Sequence, residues 1–96
     1  MIHESARIYG NTKIGRNPVI MENVIIGYPT ANLLGSETKH LKGAVIGDNA
    51  VIRSNTVIYC EVEIGNNFVT GHNVVVREKT RIGDNVLLGT NTIVEG

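Results

Sequence analysis

Aliphatic residues recur at every sixth position along most of this chain. When units are counted from Ile2 and again from Ile46, the first position is Ile, Val or Leu in every unit except the one that begins at Thr70. The fifth position is small or β-branched in nearly every unit, and Pro18 and Phe68 are the exceptions. This period predicts a repeat architecture in which each unit supplies one short strand to a narrow interior.

Glycine and asparagine occupy fixed places within the same unit. Gly is frequent at the second position, as in Gly47 and Gly65, and Asn dominates the fourth, as in Asn49 and Asn67. Asn tolerates the left-handed backbone conformation better than other non-glycine residues. We therefore predict one tight corner in each unit.

The motif Ile-Gly-x-Asn-Thr/Val-Val, as in residues 46–51, resembles the hexapeptide repeat of the left-handed parallel β-helix. This repeat is found in the hexapeptide acyltransferases, and the resemblance covers nearly the whole chain. It implies an all-β fold in which three units form one triangular coil and residues eighteen apart stack about 4.8 Å from each other. Residues 1–96 then form a single domain of somewhat under five triangular coils.

Side chains eighteen residues apart are complementary, which supports this register. The expected opposite-charge stacks are Glu61 on Lys79, Glu63 on Arg81 and Arg77 on Glu95, and Asn55, Asn73 and Asn91 are expected to form a ladder.

The repeat breaks once, between Ile26 and Ile46, whose separation is not a multiple of six. We predict a protruding loop over about residues 28–44. Leu33, Leu34 and Leu41 lie in this loop and need a partner. They either fold back on their own coil, or contact a neighbouring subunit or cover a ligand groove.

Composition and charge limit the classes of binding partner that we expect. The chain has 96 residues and a formal net charge of zero, so it lacks the basic surface of a nucleic-acid-binding protein. It contains no apolar run long enough to span a bilayer and no leader segment, so we expect a cytoplasmic protein without a membrane partner.

The single cysteine, Cys60, has no internal disulfide partner, and we assign it a structural or incidental role. Because the sequence stops in mid-unit at Gly96, we expect a fragment of a longer β-helix.

The sixth residue of each unit points away from the interior and is aliphatic on two of the three faces. One face carries Val51, Val69 and Leu87, the next carries Val57, Val75 and Ile93, and the third carries Glu63 and Arg81. A threefold ring requires two different contact surfaces on each subunit. We therefore expect a homotrimer, which is also the assembly of the resembling acyltransferases.

His72 is the strongest candidate for chemistry. It follows Thr70, which breaks the aliphatic pattern, and regular patterns are most often broken at functional sites. The segment Gly71–Val75 is similar to the one that holds the general base in the N-acyltransferases of lipid A synthesis. With residues 82–86 and 94–96 it also resembles the N-acetyltransferases of 3-amino sugar nucleotides, in which the histidine is not clearly the base.

The resemblance implies an acyl-coenzyme A co-substrate and a sugar or sugar-nucleotide acceptor. We assign substrate or acyl-CoA contacts to Asn73, Gly89 and Thr90, and also to His40, because this histidine lies on the loop and could approach a ligand. Imidazole suits a general base because its unperturbed pKa lies near neutral pH. In the alternative interpretation, His72 is a corner residue that packs between subunits. His3 is expected to be solvated, and so is His40 if it does not contact a ligand.

Two other functions remain open from the sequence. The γ-class carbonic anhydrases share the fold and bind zinc through three histidines, but position 77, where the second member of their close histidine pair would lie, is Arg. We expect no metal. A non-catalytic trimerisation module is the second alternative. The preferred function is transfer of an acetyl or similar acyl group from acyl-CoA to a sugar amine or hydroxyl.

Overall fold

Short parallel strands make up nearly all the regular structure of this protein. The computed structural model describes residues 1–35 and 41–96, which contain thirteen strands and one 3₁₀ helix, Ala31–Leu33. The strands are β1 (Arg7–Ile8), β2 (Lys13–Ile14), β3 (Val19–Ile20), β4 (Ile25–Tyr28), β5 (Val45–Ile46), β6 (Val51–Ile52), β7 (Val57–Tyr59), β8 (Glu63–Ile64), β9 (Val69–Thr70), β10 (Val75–Val76), β11 (Arg81–Ile82), β12 (Leu87–Leu88) and β13 (Ile93–Val94).

The strands form three parallel sheets that enclose a triangular interior. We name them face A (β3, β6, β9 and β12), face B (β1, β4, β7, β10 and β13) and face C (β2, β5, β8 and β11). Every third strand pairs, for example Val57 with Val75 and Val75 with Ile93. The chain is thus a left-handed parallel β-helix of about five coils, and the predicted fold and eighteen-residue register are confirmed.

The interior is filled by the first and fifth residues of the units. The aliphatic first-position residues Ile20, Ile26, Ile52 and Ile58 are completely buried. Phe68, the large exception at a fifth position, is also completely buried and lies one coil below Ala50. A small residue next to a large one lets the core fill without voids.

The corners are left-handed turns, as the Asn pattern predicts. Eight asparagines have φ values between 56° and 67°, and all occupy fourth positions. At the corner between faces B and C, however, Glu61 and Lys79 adopt the same conformation, with φ of 57° and 59°. The period of six predicts a turn at both positions, although neither residue type favours positive φ.

Side-chain ladders stabilise the corner between faces C and A. The amide of Asn49 donates to Asn67 Oδ1 at 3.2 Å, and Asn67 donates to Asn85 at 2.9 Å. Beside them the backbone N–H of Asn66 donates to Asp84 Oδ1 at 2.7 Å. Gly65 is required here, because a Cβ atom at this position would collide with the Asp84 carboxylate. The ladder therefore lies at a different corner from the predicted one at Asn55, Asn73 and Asn91, where side-chain hydroxyls make the contacts between coils.

Two of the predicted charge stacks have different outcomes. Arg81 Nη2 lies 3.4 Å from Glu63 Oε2, as predicted. Arg77 instead pairs with Glu78, with 3.0 Å between Nε and Oε1, and its guanidinium lies 4.6 Å from the ring centre of Tyr59. The hydrogen bond to Glu78 raises the pKa of Arg77, whereas Glu95 contributes only a weak attraction. The pKa of Glu78 is lowered, first by a backbone hydrogen bond and then by Arg77.

The insertion leaves the helix between faces B and C. Strand β4 continues through Tyr28, and a bulge at Gly27, with φ of 80°, moves the register by one residue so that Tyr28 pairs with Tyr59. Gly43 and Ala44 are already buried in the next coil. Tyr28 at one end and Gly43 and Ala44 at the other therefore belong to the coils, and the protrusion is shorter than the predicted residues 28–44.

The described leucines of the insertion differ in their surroundings. Leu33 and Leu41 are half-buried, and Leu34 is exposed. Leu41 also accepts a backbone hydrogen bond from Asn11 at 3.0 Å, which ties this end of the insertion to the first coil. No helix long and apolar enough to cross a membrane occurs in residues 1–35 and 41–96.

Candidate functional site

The corner between faces A and B brings five third-position residues into one column. In order along the helix they are Glu4, Glu22, Ser54, His72 and Thr90. Backbone hydrogen bonds fix the spacing of the last four, because three of their carbonyls accept an N–H from the next coil: Glu22 from Asn55, Ser54 from Asn73 and His72 from Asn91, at 2.9 to 3.1 Å. Residues far apart in sequence therefore lie in adjacent coils.

His72 is held on both sides within this column. Its Nδ1 atom lies 2.8 Å from the Ser54 hydroxyl oxygen, and its backbone N–H donates to Thr90 Oγ1 at 3.2 Å. The side chain is exposed, so its ring is open to solvent and to a ligand. The arrangement presents an imidazole with one ring nitrogen engaged by a hydroxyl.

Thr70 has a structural explanation. It is 1% exposed, and its hydroxyl accepts the backbone N–H of Arg53 at 3.0 Å. The hydroxyl thus satisfies a backbone donor that an aliphatic side chain would leave without a partner. Thr70 therefore supports the turn that carries Arg53 and Ser54, and it also forms part of the wall of a cavity beside this corner.

Two cavities adjoin this corner. The first, of about 330 Å³, is lined by Met21, Glu22, Val51, Arg53, Ser54 and His72. The second, of about 220 Å³, is lined by Arg53, Val69, Thr70, Gly71, Leu87, Gly89 and Thr90. Arg53 borders both, so the two form neighbouring depressions along face A.

The predicted site residues have different positions. His72 lines the first cavity, and Gly89 and Thr90 line the second. Asn73 has a φ of 56° and donates its backbone N–H to Ser54, so the role visible for it is to form the corner. His40 lies outside the described residues.

Several residues of the corner were missed from the sequence. Glu22 and Ser54 lie in the same column as His72, and Arg53 lies beside it. Ser54 could have been found from the sequence, because it lies eighteen residues before His72. Across the insertion the corresponding spacing is thirty-two, as in the pairing of Val19 with Val51, and this longer interval obscured Glu22.

His3 contacts a serine in the first turn of the same corner. Its Nδ1 atom lies 2.9 Å from the hydroxyl oxygen of Ser5, and Ser5 also accepts the backbone N–H of Asn23 at 2.9 Å. The expectation that His3 is simply solvated is thus incomplete, because this histidine is half-buried and locally hydrogen-bonded.

A third cavity, of about 450 Å³, lies near the corner between faces B and C. It is lined by Lys42, Glu61, Glu63, Lys79, Thr80 and Arg81. The Arg81–Glu63 ion pair occupies part of its wall, and the remaining charges are of both signs. Among the described residues, no group of three or more His, Cys, Asp or Glu side chains is arranged to hold a metal ion.

Comparison with protein families gives a match over more than half of the chain. The model for the bacterial transferase hexapeptide family, defined by six repeats, matches residues 43–78 and again residues 61–96. The matched region includes Ser54, His72 and Thr90. A search of curated proteins found no match.

Proposed function

Because the chain belongs to the bacterial hexapeptide transferase family, we propose that it transfers an acetyl or similar acyl group from acyl-CoA to a sugar or sugar-nucleotide amine or hydroxyl. The observation that carries this proposal is the exposed His72 imidazole, which lines a cavity and is hydrogen-bonded to Ser54 at 2.8 Å. A positioned imidazole beside a cleft is suited to proton transfer.

In the proposed reaction His72 acts as the general base. The acceptor nitrogen or oxygen attacks the thioester carbonyl while His72 takes its proton, so that a C–N or C–O bond forms. The C–S bond then breaks, and the departing coenzyme A thiolate receives a proton from the imidazolium. No net proton is gained or lost by the enzyme.

The polar groups around His72 suit binding of the acceptor. Glu22 and Arg53 provide opposite charges in the same cavity, and Met21 and Val51 provide an apolar wall. The acyl-CoA would lie along the neighbouring depression, at Gly89 and Thr90. An acyl-CoA substrate also favours a cytoplasmic location, and the apolar outer faces favour a homotrimer in which adjacent subunits complete the site.

The test is replacement of His72 in the full chain, with acetyl-CoA and a panel of amino-sugar nucleotides as substrates. We expect His72→Ala to lower turnover by about 10²- to 10⁴-fold, the usual contribution of a positioned base, and to leave acyl-CoA affinity nearly unchanged. His3→Ala is the control, because it removes a serine-bonded histidine that lines neither of the two cavities at this corner. Turnover of His72→Ala within threefold of the parent would assign His72 to packing.

A non-catalytic trimerisation module is the second candidate. It is favoured by one observation: the outer side chains Leu87 and Ile93 are 70% and 62% exposed, which suits burial against another chain. Calorimetric titration with acetyl-CoA separates the two functions, because a purely structural module has no reason to bind it. Zinc-dependent hydration is not favoured, since Arg77 at the position of the required histidine is engaged by Tyr59 and Glu78.

A further inference from the structure

We infer that Ser54 is a positioning residue that fixes the ring orientation and the tautomer of His72. This inference rests on the proposed function, in which His72 is the base. Its structural basis is the 2.8 Å contact between Ser54 Oγ and His72 Nδ1, between two residues that lie one coil apart at the same corner.

The contact engages Nδ1 of His72, so Nε2 is the ring nitrogen that can face a substrate. A neutral imidazole has one N–H donor and one acceptor nitrogen, and a serine hydroxyl can accept or donate. When His72 Nδ1–H donates to Ser54 Oγ, the lone pair is on Nε2, the nitrogen that Ser54 leaves open. The opposite arrangement would place the proton on Nε2, which then could not accept a proton from the acceptor group.

The ring needs this restraint because little else holds it. His72 is exposed, so packing does not determine its side-chain rotamer. The contacts with Thr90 and Asn91 fix its backbone N–H and carbonyl only. Ser54, in contrast, is half-buried, and its own carbonyl accepts the N–H of Asn73 at 3.1 Å. The hydroxyl is therefore presented from a well-anchored turn.

Two charged side chains line the same cavity, Glu22 and Arg53. Because either can also contact a substrate, activity alone does not isolate the effect of Ser54, and the experiment must observe the tautomer directly. Nitrogen-15 NMR of histidine-labelled full-length chain does this, because protonated and unprotonated ring nitrogens have widely separated chemical shifts. The spectra are recorded at a pH where the ring is neutral.

The variants are Ser54→Ala and Ser54→Thr, with Ser5→Ala as the matched control. Ser5 Oγ lies 2.9 Å from His3 Nδ1, which also accepts the backbone N–H of Ser5 at 3.1 Å, so loss of the Ser5 hydroxyl should affect the His3 signals alone and leave those of His72 unaltered. We expect the Nδ1–H tautomer of His72 in the parent, a shift towards the Nε2–H tautomer in Ser54→Ala, and recovery of the parental spectrum in Ser54→Thr. Far-ultraviolet circular dichroism confirms that each variant is folded.

Kinetics provide the second measurement. Loss of one neutral hydrogen bond should lower kcat of Ser54→Ala by about 3- to 10-fold, without a matching change in KM for acetyl-CoA, and Ser54→Thr should restore it. Identical His72 tautomers in the parent and Ser54→Ala, or an Nε2–H tautomer in the parent, would overturn the inference.

The two proposals fail in different ways. If the parent transfers no acyl group, or if His72→Ala is as active as the parent, the proposed function fails, and the tautomer spectra still decide whether Ser54 orients His72. If His72→Ala is inactive and Ser54→Ala matches the parent in both spectrum and kcat, the proposed function stands and the role of Ser54 is excluded.

Discussion

Individual residues show where this fold carries strain. Most corners use Asn, which tolerates positive φ, but Glu61 and Lys79 are held at φ of 57° and 59° without that advantage. A left-handed conformation costs an ordinary L-residue about 1–2 kcal/mol, and Asn recovers part of this through local hydrogen bonds. The corner between faces B and C is therefore less favourable, residue for residue, than the other two.

Lys79→Asn should relieve this strain. We expect an increase in the free energy of unfolding of about 0.5–1 kcal/mol, seen as a rise of several degrees in the thermal midpoint. The control is Lys13→Asn, which replaces an exposed lysine of strand β2 and should be neutral or destabilising. A lower midpoint for Lys79→Asn than for the parent would contradict this account of the corner.

At the scale of elements, the insertion is an excursion from an otherwise continuous coil. The N–H of Cys60 donates to Tyr28 O at 2.9 Å, and the N–H of Glu61 donates to Gly43 O at 3.1 Å. Residues on both sides of the insertion thus contact neighbouring positions of the next coil. If Pro29 were joined directly to Gly43, the chain from Tyr28 to Val45 would have the same length as the segment from Tyr59 to Glu63 in the next coil. The two segments could then pair without an insertion.

Deletion of Thr30 to Lys42 should therefore leave the β-helix folded. The far-ultraviolet circular dichroism spectrum should persist, because the repeats on both sides supply the core. A deletion of similar length within the coils, residues 51–63, serves as the control, since it changes the register by thirteen residues and should prevent folding. Loss of structure in the Thr30–Lys42 deletion would show that Leu33 or Leu41 belongs to the core.

The sequence predicted the coils well and the site only in part. A strict period of six determines which side chains face inward, so Ile52 and Ile58 could be placed in the core without a structure. His72 was found because Thr70 interrupts that period, although the structure gives Thr70 a hydrogen-bonding role with Arg53. Ser54 was missed because outward corner residues follow no hydrophobic pattern, and their contacts depend on side-chain rotamers that spacing does not specify.

At the scale of the whole molecule, the three outer faces differ in chemistry. Faces A and B present aliphatic side chains such as Val69 and Val75, whereas face C carries the Arg81–Glu63 ion pair. Two adjacent apolar surfaces satisfy the requirement of a closed threefold ring, in which each subunit contacts two neighbours. The proposed homotrimer would use faces A and B and leave face C in solvent.

Val75→Glu should weaken this assembly, because it places a charge in a desolvated contact. Light scattering should then report a lower mass than the parent, which we expect at three times the 10.4 kDa of one chain. The control is Val45→Glu, which adds the same charge to face C at a position that is 44% exposed and should leave the mass unchanged. A parent that remains at the mass of a single chain would refute the trimer.

The aromatic column at the corner between faces B and C gives the protein a built-in optical probe. The chain has three tyrosines and no tryptophan, and all three tyrosines lie in this column. The ring centres of Tyr9 and Tyr28 are 5.7 Å apart, and those of Tyr28 and Tyr59 are 5.6 Å apart. Intrinsic fluorescence excited near 280 nm therefore originates entirely from the first coils beside the insertion. Its intensity and anisotropy will report on the opening of this corner, while the corner that carries His72 is invisible to the same measurement.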